Sequence, residues 1–448
     1  MLLKVITTNY NIKTGYFRST NSKVSLNKEL RNGVLITMSD IASRKIHKAL
    51  KVRLYPSEEQ KVILNKTFGC CRVVYNERLS EHINYYNTYK DNPDKPKFKG
   101  ALPKELREKK YPWLNEDTIA EALVQSQRCC EQAYSNFFKS LKNQRKGRKV
   151  GYPKLKSKKS HRDSFTLHMI KTNDLVDFDS RTVVIPKLKN TKFRITNSSL
   201  KSKWIEWFLE AVPCSMTISR NACGEYYCSI LFEREQNLEQ SIRLSNSVGL
   251  DFSPSNLYIN SNNNSAPNYK PYKQLNKKKL TKLQRRLARK QKDSKNREKV
   301  RVKLARFEKH ISDSRKDYIE KETLRLVRTY DVIGIEDLNL QGMMKFSYNA
   351  KNYVDTSWYT FTQKLIWKSQ FNNCIIVKSD RFYPSSKTCN RCGYVNQNLT
   401  LKDRKWNCPN CGTEILRDEN AGKNLRDNAI NLLTEEINSV LGMERTEV

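Results

Sequence analysis

The chain has 448 residues, with 84 lysines and arginines against 46 aspartates and glutamates, a formal net charge of +38. That length allows several domains with cores of their own, and the partner that best neutralises such a charge is a polyphosphate backbone, so nucleic acid leads the ligand classes. A membrane partner is set aside: the basic segments lack a large apolar face, no run of about eighteen apolar residues could span a bilayer, and MLLKVITTNYNIKTGYF is no secretory signal. In the cytosolic compartment this implies, the twelve cysteines are expected as thiols or metal ligands, not disulfides.

Residues 1–45 are rich in Asn, Ser, Thr and Lys without a durable period and read as a mobile extension, with Met38 as an alternative start. Ala49 to Tyr55 alternates apolar and basic residues, a strand stopped by Pro56. Ser57 then caps a helix on which Leu64, Phe68, Cys71, Tyr75, Leu79, Ile83 and Tyr86 recur at helical spacing. After a proline- and lysine-rich loop, Asn115 and Asp117 open a second helix with the stripe Ile119, Leu123, Ser126, Cys130, Ala133, Phe137 and Leu141, so residues 57–149 read as a helical bundle. From Leu141 to Ser160 there are nine basic residues and no acidic one, expected as a phosphate-contacting loop over a solvated linker. The runs SFTLHMI, TVVIPKL, KFRIT, CSMTISR and EYYCSILFERE switch to period two. They predict a β-barrel or sandwich over 150–240 that the strand at 46–56 completes, with the bundle inserted between its first and second strands.

Beyond Ser247 the pattern becomes α/β. VGLDFS is a buried strand delivering Asp251, and DVIGIEDLN is another, delivering Glu336. Between them Leu275 to Ile311 forms a hairpin broken near Asp293 to Asn296, with a third helix running to about Tyr330. From Lys277 to Lys309 the hairpin carries sixteen Lys and Arg against three acids, whereas a solvated helix mixes signs to form i,i+4 pairs. That imbalance predicts a nucleic-acid face, with Arg285, Arg286 and Arg289 as candidate contacts. A helix from Trp358 to Phe371 and the strand CIIVKSD follow.

PSSKTCNRCG and CPNCG then supply Cys389, Cys392, Cys408 and Cys411, four thiolates at the spacing of a zinc ribbon, with Gly393 and Gly412 allowing each turn to tighten. The other eight cysteines, including the pairs Cys70, Cys71 and Cys129, Cys130, are expected to pack as small hydrophobes. Asp418 stands at a helix start, where a carboxylate is often only a cap. With Asp251 and Glu336 it would make three acids from distant segments. Such charges repel and raise one another's pKa unless Mg²⁺ or Mn²⁺ supplies the missing positive charge, and two such ions can drive phosphodiester hydrolysis. Asp337, Asp380, Asp403 and Glu419 are equally acidic neighbours that pattern alone does not set aside.

GLDFS, the basic stretch LQRRLARKQKDSKNREKVRVKLARFEKHISDSRKD, IGIEDLNLQGM, DRFYPSSKTCNRCG, LKDRKWNCPNCG and RDENAGKNL together resemble the TnpB (OrfB) family of transposon-encoded proteins, relatives of the type V CRISPR effectors, over about residues 46 to 425. The resemblance implies a multidomain α/β plus β-barrel protein. A wedge-like barrel (46–56 and 150–240) would carry a recognition bundle (57–149). A RuvC-like, RNase H-type nuclease (245–383 and 413–430) would carry a zinc ribbon (384–412), with a C-terminal tail at 431–448. It further implies Asp251, Glu336 and Asp418 as catalytic acids on Mg²⁺ or Mn²⁺, and Cys389, Cys392, Cys408 and Cys411 on Zn²⁺. The implied activity is that of an RNA-guided DNA endonuclease cutting double-stranded target DNA beside a short motif. Its guide RNA would come from the transposon end, with one protein per guide, in the cytoplasm and associated with a prokaryotic-type nucleoid. Tyr75, Asn76 and Arg78 become candidate contacts near the motif, and Arg381 a further nucleic-acid contact.

Many members have Gly where this chain has Phe252, and Ala where it has Gly422, departures expected to alter loop geometry while leaving every metal ligand present. A cleavage-inactive RNA-guided repressor should have lost one of the acids, and all stand. A DNA strand transferase of the associated single-strand kind would need His-x-His with a nucleophilic tyrosine, and the five histidines form no such pair. Retroviral-type transfer also uses three carboxylates and stays open at this point.

Overall fold

The protein is described by a computed structural model over residues 3–5, 22–27, 35–40, 44–92, 94, 96–101, 103–115, 117–145, 149–168, 175–194, 202–236, 239–340, 342–343, 355–400 and 403–441. The chain divides into two units, one of Lys45–Glu235 and one of Met1–Arg44 with Gln236–Val448.

In the second of these units, β1 (Leu3–Val5), β2 (Ser22–Asn27) and β3 (Leu35–Asp40) pair antiparallel, and β3 pairs in turn with β11 (Glu239–Arg243). The expectation of a mobile extension over 1–45 is therefore corrected at residues 3–5, 22–27 and 35–40, and its other residues before Arg44 lie outside those described. Val24 stands opposite Met38 and Leu26 opposite Ile36, an alternation too short to emerge from so polar a stretch. Met38 itself sits inside β3, opposite Gln240.

The unit Lys45–Glu235 is a sheet interrupted by helices. Its strands are β4 (Arg44–Leu54), β5 (Asp163–His168), β6 (Val176–Asp177), β7 (Thr182–Ile185), β8 (Lys189–Arg194), β9 (Val212–Arg220) and β10 (Tyr226–Gln236). They run in the order β5-β9-β10-β4-β8-β7-β6. The β-barrel or sandwich expected here takes the form of one seven-stranded sheet, ending on one side in the two-residue β6. Between β4 and β5 stand α1 (Glu58–Tyr89) and α2 (Ala120–Leu141), so the bundle is inserted where the sequence placed it. Ser57 caps α1 in a capping box with Gln60, and Leu64, Phe68, Cys71, Tyr75 and Leu79 are buried as the stripe predicts. Asn115 instead closes a separate 3₁₀ turn, Pro112–Asn115, and α2 starts without a side-chain cap. The short helix α3 (Ser202–Leu209) precedes β9.

The rest of the other unit is an α/β layer. Its strands β12 (Ser247–Ser253), β13 (Leu257–Asn260), β14 (Val332–Ile335) and β15 (Ile375–Lys378) are ordered β13-β12-β14-β15, with β12, β14 and β15 parallel and β13 antiparallel. Between β13 and β14 lie α4 (Lys277–Ala288) and α5 (Lys295–Thr329). The hairpin's second arm and the expected third helix are thus one 35-residue helix, α5, capped by Ser294. Helix α6 (Trp358–Ser369) leads into β15, and α7 (Arg417–Leu441) closes the layer. Both faces of the sheet are covered, as parallel strands require. Val248, Leu250, Ile333, Ile335 and Ile376 pack with Leu326, Trp358, Phe361 and Leu365 on one side, while Val332, Ile375 and Val377 meet Ala429 and Leu433 of α7 on the other.

Helix α7 lies on the sheet backbone to backbone. A Cβ at Gly249 would fall 1.9 Å from the Gly422 carbonyl oxygen, and one at Gly334 would fall 2.2 Å from that of Leu425. One at Gly422 would fall 2.7 Å from the Ser261 amide nitrogen, so the glycine that departs from the family pattern is required by this packing. Gly249→Ala is therefore expected to destabilise the protein by about 3 kcal/mol or more, read from urea unfolding, because the obstacle is backbone. Gly151→Ala, with nothing within 4 Å of the added carbon, should leave the unfolding curve almost unmoved.

Candidate functional site

The parallel register of β12 and β14 ends at Leu250 opposite Ile335. The next residues on the two strands are Asp251 and Glu336, so the carboxylates stand at neighbouring positions, Glu336 just past the end of β14 and Asp251 still inside β12, which runs on to Ser253 opposite β13 instead of ending at the aspartate. Asp418 arrives from the first turn of α7. Burial pushes the Asp251 carboxyl well above the ordinary aspartate range, and the charges of Glu336 and Asp418 push it further. Arg417 and Arg404 oppose that shift. Burial also raises Glu336, against a hydrogen bond that Ser385 Oγ donates to its Oε1 at 2.6 Å. Asp251 thus senses the charges of two acids that come from distant segments. The ligand oxygens of the three are not all within 4.8 Å of one another, as donors to a single ion would be. The carboxylate of Asp418 is instead drawn to Arg404 Nη1 and Arg417 Nη2, each at 3.0 Å.

Cys389, Cys392, Cys408 and Cys411 do bring all four sulfurs within 4.8 Å, with Cys389 and Cys411 3.7 Å apart and Cys392 and Cys408 3.5 Å apart. Sulfurs held about 2.3 Å from a tetrahedral zinc stand about 3.8 Å from one another, so the donor set fits that ion. Two turns of one design carry it. The Gly393 amide donates to the Cys389 carbonyl at 2.9 Å and the Gly412 amide to the Cys408 carbonyl at 2.8 Å, with both glycines at positive φ, 75° and 68°. The Thr413 hydroxyl beside Cys411 draws that thiol down to about 6, while burial pushes Cys389 up to about 11. Strands β16 (Lys405–Asn407) and β17 (Glu414–Leu416) complete the ribbon around Trp406 and Ile415.

Asparagines missed by pattern reading tie the ribbon to α7. Asn420 Nδ2 donates to the Thr388 carbonyl at 2.7 Å, and Asn424 Nδ2 donates to the carbonyls of Ser385 and Thr388, both at 2.7 Å. Asn390 returns the contact, its amide N–H donating to Asn420 Oδ1 at 3.0 Å and its Nδ2 to Asn424 Oδ1 at 3.1 Å. The signal was present: Asn420 and Asn424 are four apart in RDENAGKN and so share one helix face.

The nucleic-acid candidates divide. Arg285, Arg286 and Arg289 are exposed on or just beyond α4 while Leu280 and Leu283 are buried, as expected of a basic face. Arg381 is exposed and pairs with Asp337 at 2.7 Å, one residue from Glu336. Asn76 brackets the backbone of Lys156, donating to its carbonyl at 3.0 Å and accepting from its amide at 2.8 Å. Tyr75 and Arg78 require correction: both are buried in the bundle, 6% and 4% exposed. Lys156 Nζ covers the Tyr75 ring at 3.9 Å, and Arg78 donates to Glu81 Oε2 at 3.1 Å and to the Ala101 carbonyl at 3.0 Å, so neither side chain is presented to a base or a phosphate. Of the eight remaining cysteines, Cys70, Cys71, Cys130, Cys228 and Cys374 are buried, whereas Cys129 is exposed and Cys214 and Cys223 are half-buried.

These features define a cationic α/β protein with a carboxylate cluster at one sheet edge and a four-cysteine ribbon joined to it. Comparison with known proteins narrows that class. The family model described as "Probable transposase" matches residues 229–347, one described as "Cas12f1-like, TNB domain" matches 358–425, and one described as "Helix-turn-helix domain" matches 46–91, which here fold as β4 and α1. A protein of Streptomyces pristinaespiralis named "Putative RNA-guided DNA endonuclease" is 30% identical over 383 residues, covering 85% of this chain and 89% of its own. "Putative RNA-guided DNA endonuclease InsQ" of Escherichia coli (strain K12) is 26% identical over 393 residues, covering 84% and 91%. The mimivirus "TnpB-like protein L79" is 24% identical over 404 residues, covering 84% and 72%. The chain belongs to the TnpB (OrfB) family of transposon-encoded RNA-guided DNA endonucleases. Among the described residues, no helix is long and apolar enough to cross a membrane.

An acid whose folded pKa is raised costs nothing below its unfolded pKa, and the cost grows as pH rises from that value and is complete above the folded one. Asp251→Asn is therefore expected to raise the Tm of the metal-free protein at pH 7, by about 1 kcal/mol or more in stability. The advantage should shrink on acidification toward the ordinary aspartate range. Melting curves across pH in a chelating buffer measure it, and a constant advantage would mean that the Asp251 carboxyl is not raised by its surroundings. Cys408→Ser should lower the zinc content of the purified chain and loosen the ribbon, as measured by elemental analysis and limited proteolysis.

Proposed function

We propose that this chain is an RNA-guided DNA endonuclease that hydrolyses a phosphodiester bond of target DNA beside a short transposon-associated motif, with Asp251, Glu336 and Asp418 as its catalytic acids. The observation that supports the reading is that Asp251 and Glu336 stand at neighbouring positions of β12 and β14, where burial and the charges of Glu336 and Asp418 raise the Asp251 carboxyl. Divalent Mg²⁺ or Mn²⁺ held by these carboxylates would supply that charge, activate water and stabilise the leaving oxygen in a RuvC-type hydrolysis. Ser385 fixes one oxygen of Glu336. Arg404 and Arg417, already at Asp418, bring guanidinium groups to where a phosphodiester and its developing charge would stand. Zn²⁺ on the four cysteines would hold the ribbon turn from which Ser385, Thr388 and Asn390 reach this edge.

Base pairing with a guide RNA from the transposon end supplies sequence specificity, and the protein contributes shape, charge and the reading of the flanking motif. The exposed arginines of α4 suit the guide or the heteroduplex backbone. One protein acts per guide RNA, in the cytoplasm at the nucleoid. A guided repressor that does not cut would share the charge and the fold, but it would have no use for three intact acids.

The test co-expresses the chain with its genomic 3′ flank, sequences the RNA that copurifies, and challenges the complex with a randomised flank library and Mg²⁺. Cleavage beside one enriched motif is expected. Asp251→Ala should reduce cutting to background while guide-directed DNA binding survives, and equal cutting by the mutant would remove Asp251 from the mechanism.

A further inference from the structure

Outside the ribbon, one other group of metal-ligating side chains converges among the described residues: His47, Cys214 and Glu233 each offer a ligand atom, and the three atoms lie within 4.8 Å of one another. They come from β4, β9 and β10, which are adjacent in the sheet in the order β9-β10-β4. On β4, Ile46, Lys48 and Leu50 are buried while Lys45, His47 and Ala49 are exposed, so His47 stands on the outer face by strict alternation. Glu233 stands on the same side of β10, beyond the buried Phe232.

Cys214 reaches that face through an irregularity. Leu231 pairs with Ser215 and Phe232 with Pro213, so the register shifts between Leu231 and Phe232 and Cys214 has no partner of its own. Pro213 is buried opposite Phe232, and the inserted Cys214 is turned outward beside Glu233. A β-bulge is a common means of re-aiming one side chain while leaving the sheet intact.

The donor chemistry and spacing suit a borderline divalent transition ion. His47 Nε2 lies 3.4 Å from Glu233 Oε2, and nitrogen and oxygen each about 2.1 Å from a tetrahedral ion stand about 3.4 Å apart. The other oxygen, Glu233 Oε1, accepts from Lys45 Nζ at 2.9 Å. Lys45 can therefore hold the carboxylate by one oxygen while the second turns to His47 and Cys214, the arrangement by which an outer hydrogen bond orients a ligating side chain. One imidazole, one thiolate and one carboxylate make a three-ligand set with an open fourth position. A single hard ion such as Mg²⁺ would gain nothing from the sulfur.

We propose that His47, Cys214 and Glu233 form a second metal site on the outer face of the seven-stranded sheet, selective for a borderline divalent ion such as Zn²⁺ or Co²⁺ and separate from both the ribbon and the acid cluster.

Cobalt distinguishes this site from the other two. Full-length protein with zinc in its ribbon is titrated with Co²⁺ while bound zinc is followed by elemental analysis, so that replacement in the ribbon would be detected as lost zinc. The near-ultraviolet sulfur-to-cobalt charge-transfer band requires a thiolate ligand, which the acid cluster cannot provide. The wild-type chain should take up about one cobalt that carries this band, with zinc retained. Cys214→Ser should abolish the band, and His47→Gln should weaken uptake at least about tenfold, a second substitution on an exposed position that leaves the strand pattern unchanged. Circular dichroism confirms that each variant is folded. The proposal fails if the wild type shows no thiolate band with its zinc in place, or if the same band persists in the folded Cys214→Ser protein.

Discussion

The direct seating of α7 on the parallel sheet is the constraint on which the rest of this unit depends. Gly249 and Gly334 sit on neighbouring strands with no side chain to hold the helix away, and Gly422 answers from the helix. Each strand glycine comes two residues before an acid, Gly249 before Asp251 and Gly334 before Glu336, so glycine and carboxylate share a face of the sheet. On the helix, Asp418 is four residues before Gly422 and shares its face in the same way. Two residues of strand advance about 6.6 Å and four of helix about 6 Å. The glycine contacts thus fix how near the first turn of the helix, with Asp418, can come to the strand acids. Replacing a glycine here would displace the helix and, with it, the distance between carboxylates.

That convergence is electrostatically unfavourable without a cation, which is why its local chemistry differs from that of a core. Burial and repulsion raise Asp251, and two guanidinium groups have gathered at Asp418. Arg417 belongs to α7, but Arg404 comes from the ribbon. The ribbon therefore does more than hold its own loop. Through Asn420 and Asn424 its first turn is anchored on α7, and through Ser385 it holds Glu336. Four cysteines that could hold a metal ion and the carboxylate of Glu336 are thus connected through the turn of Ser385 and Thr388 by a few side-chain hydrogen bonds.

Much of this was legible in the chain. The four cysteines and the α1 stripe from Leu64 to Leu79 each obey a rule of spacing that survives folding, and each stands where that spacing placed it. What was not legible depended on partners remote in sequence. Tyr75 and Arg78 looked available because a helix surface pattern cannot say what a distant loop will cover, and Ala101 and Lys156 cover them. The strands at 22–27 and 35–40 were hidden because their apolar positions are few and gain meaning only when set opposite one another and, for β3, opposite β11. The apparent break between hairpin and third helix vanished because α5 changes the face it buries along its length, from Val300 to Ile319 and Leu326, which interrupts a stripe without interrupting a helix.

The order of elements explains why a ribbon should lie beside these acids at all. Strands β12, β14 and β15 are parallel, so all three leave the sheet at the same edge, the edge that carries Asp251 and Glu336. The chain leaving β15 is therefore already at the site when it enters residues 384–412, and it must still be there when α7 begins, because Asp418 lies in that helix's first turn. An insertion between β15 and α7 has both its ends pinned within reach of the carboxylates. A small domain closed by a metal suits that position, since it holds its shape with little apolar core of its own. The same segment carries Ser385, which donates to Glu336, and Arg404, which pairs with Asp418, so its own fold bears on where those two carboxylates point.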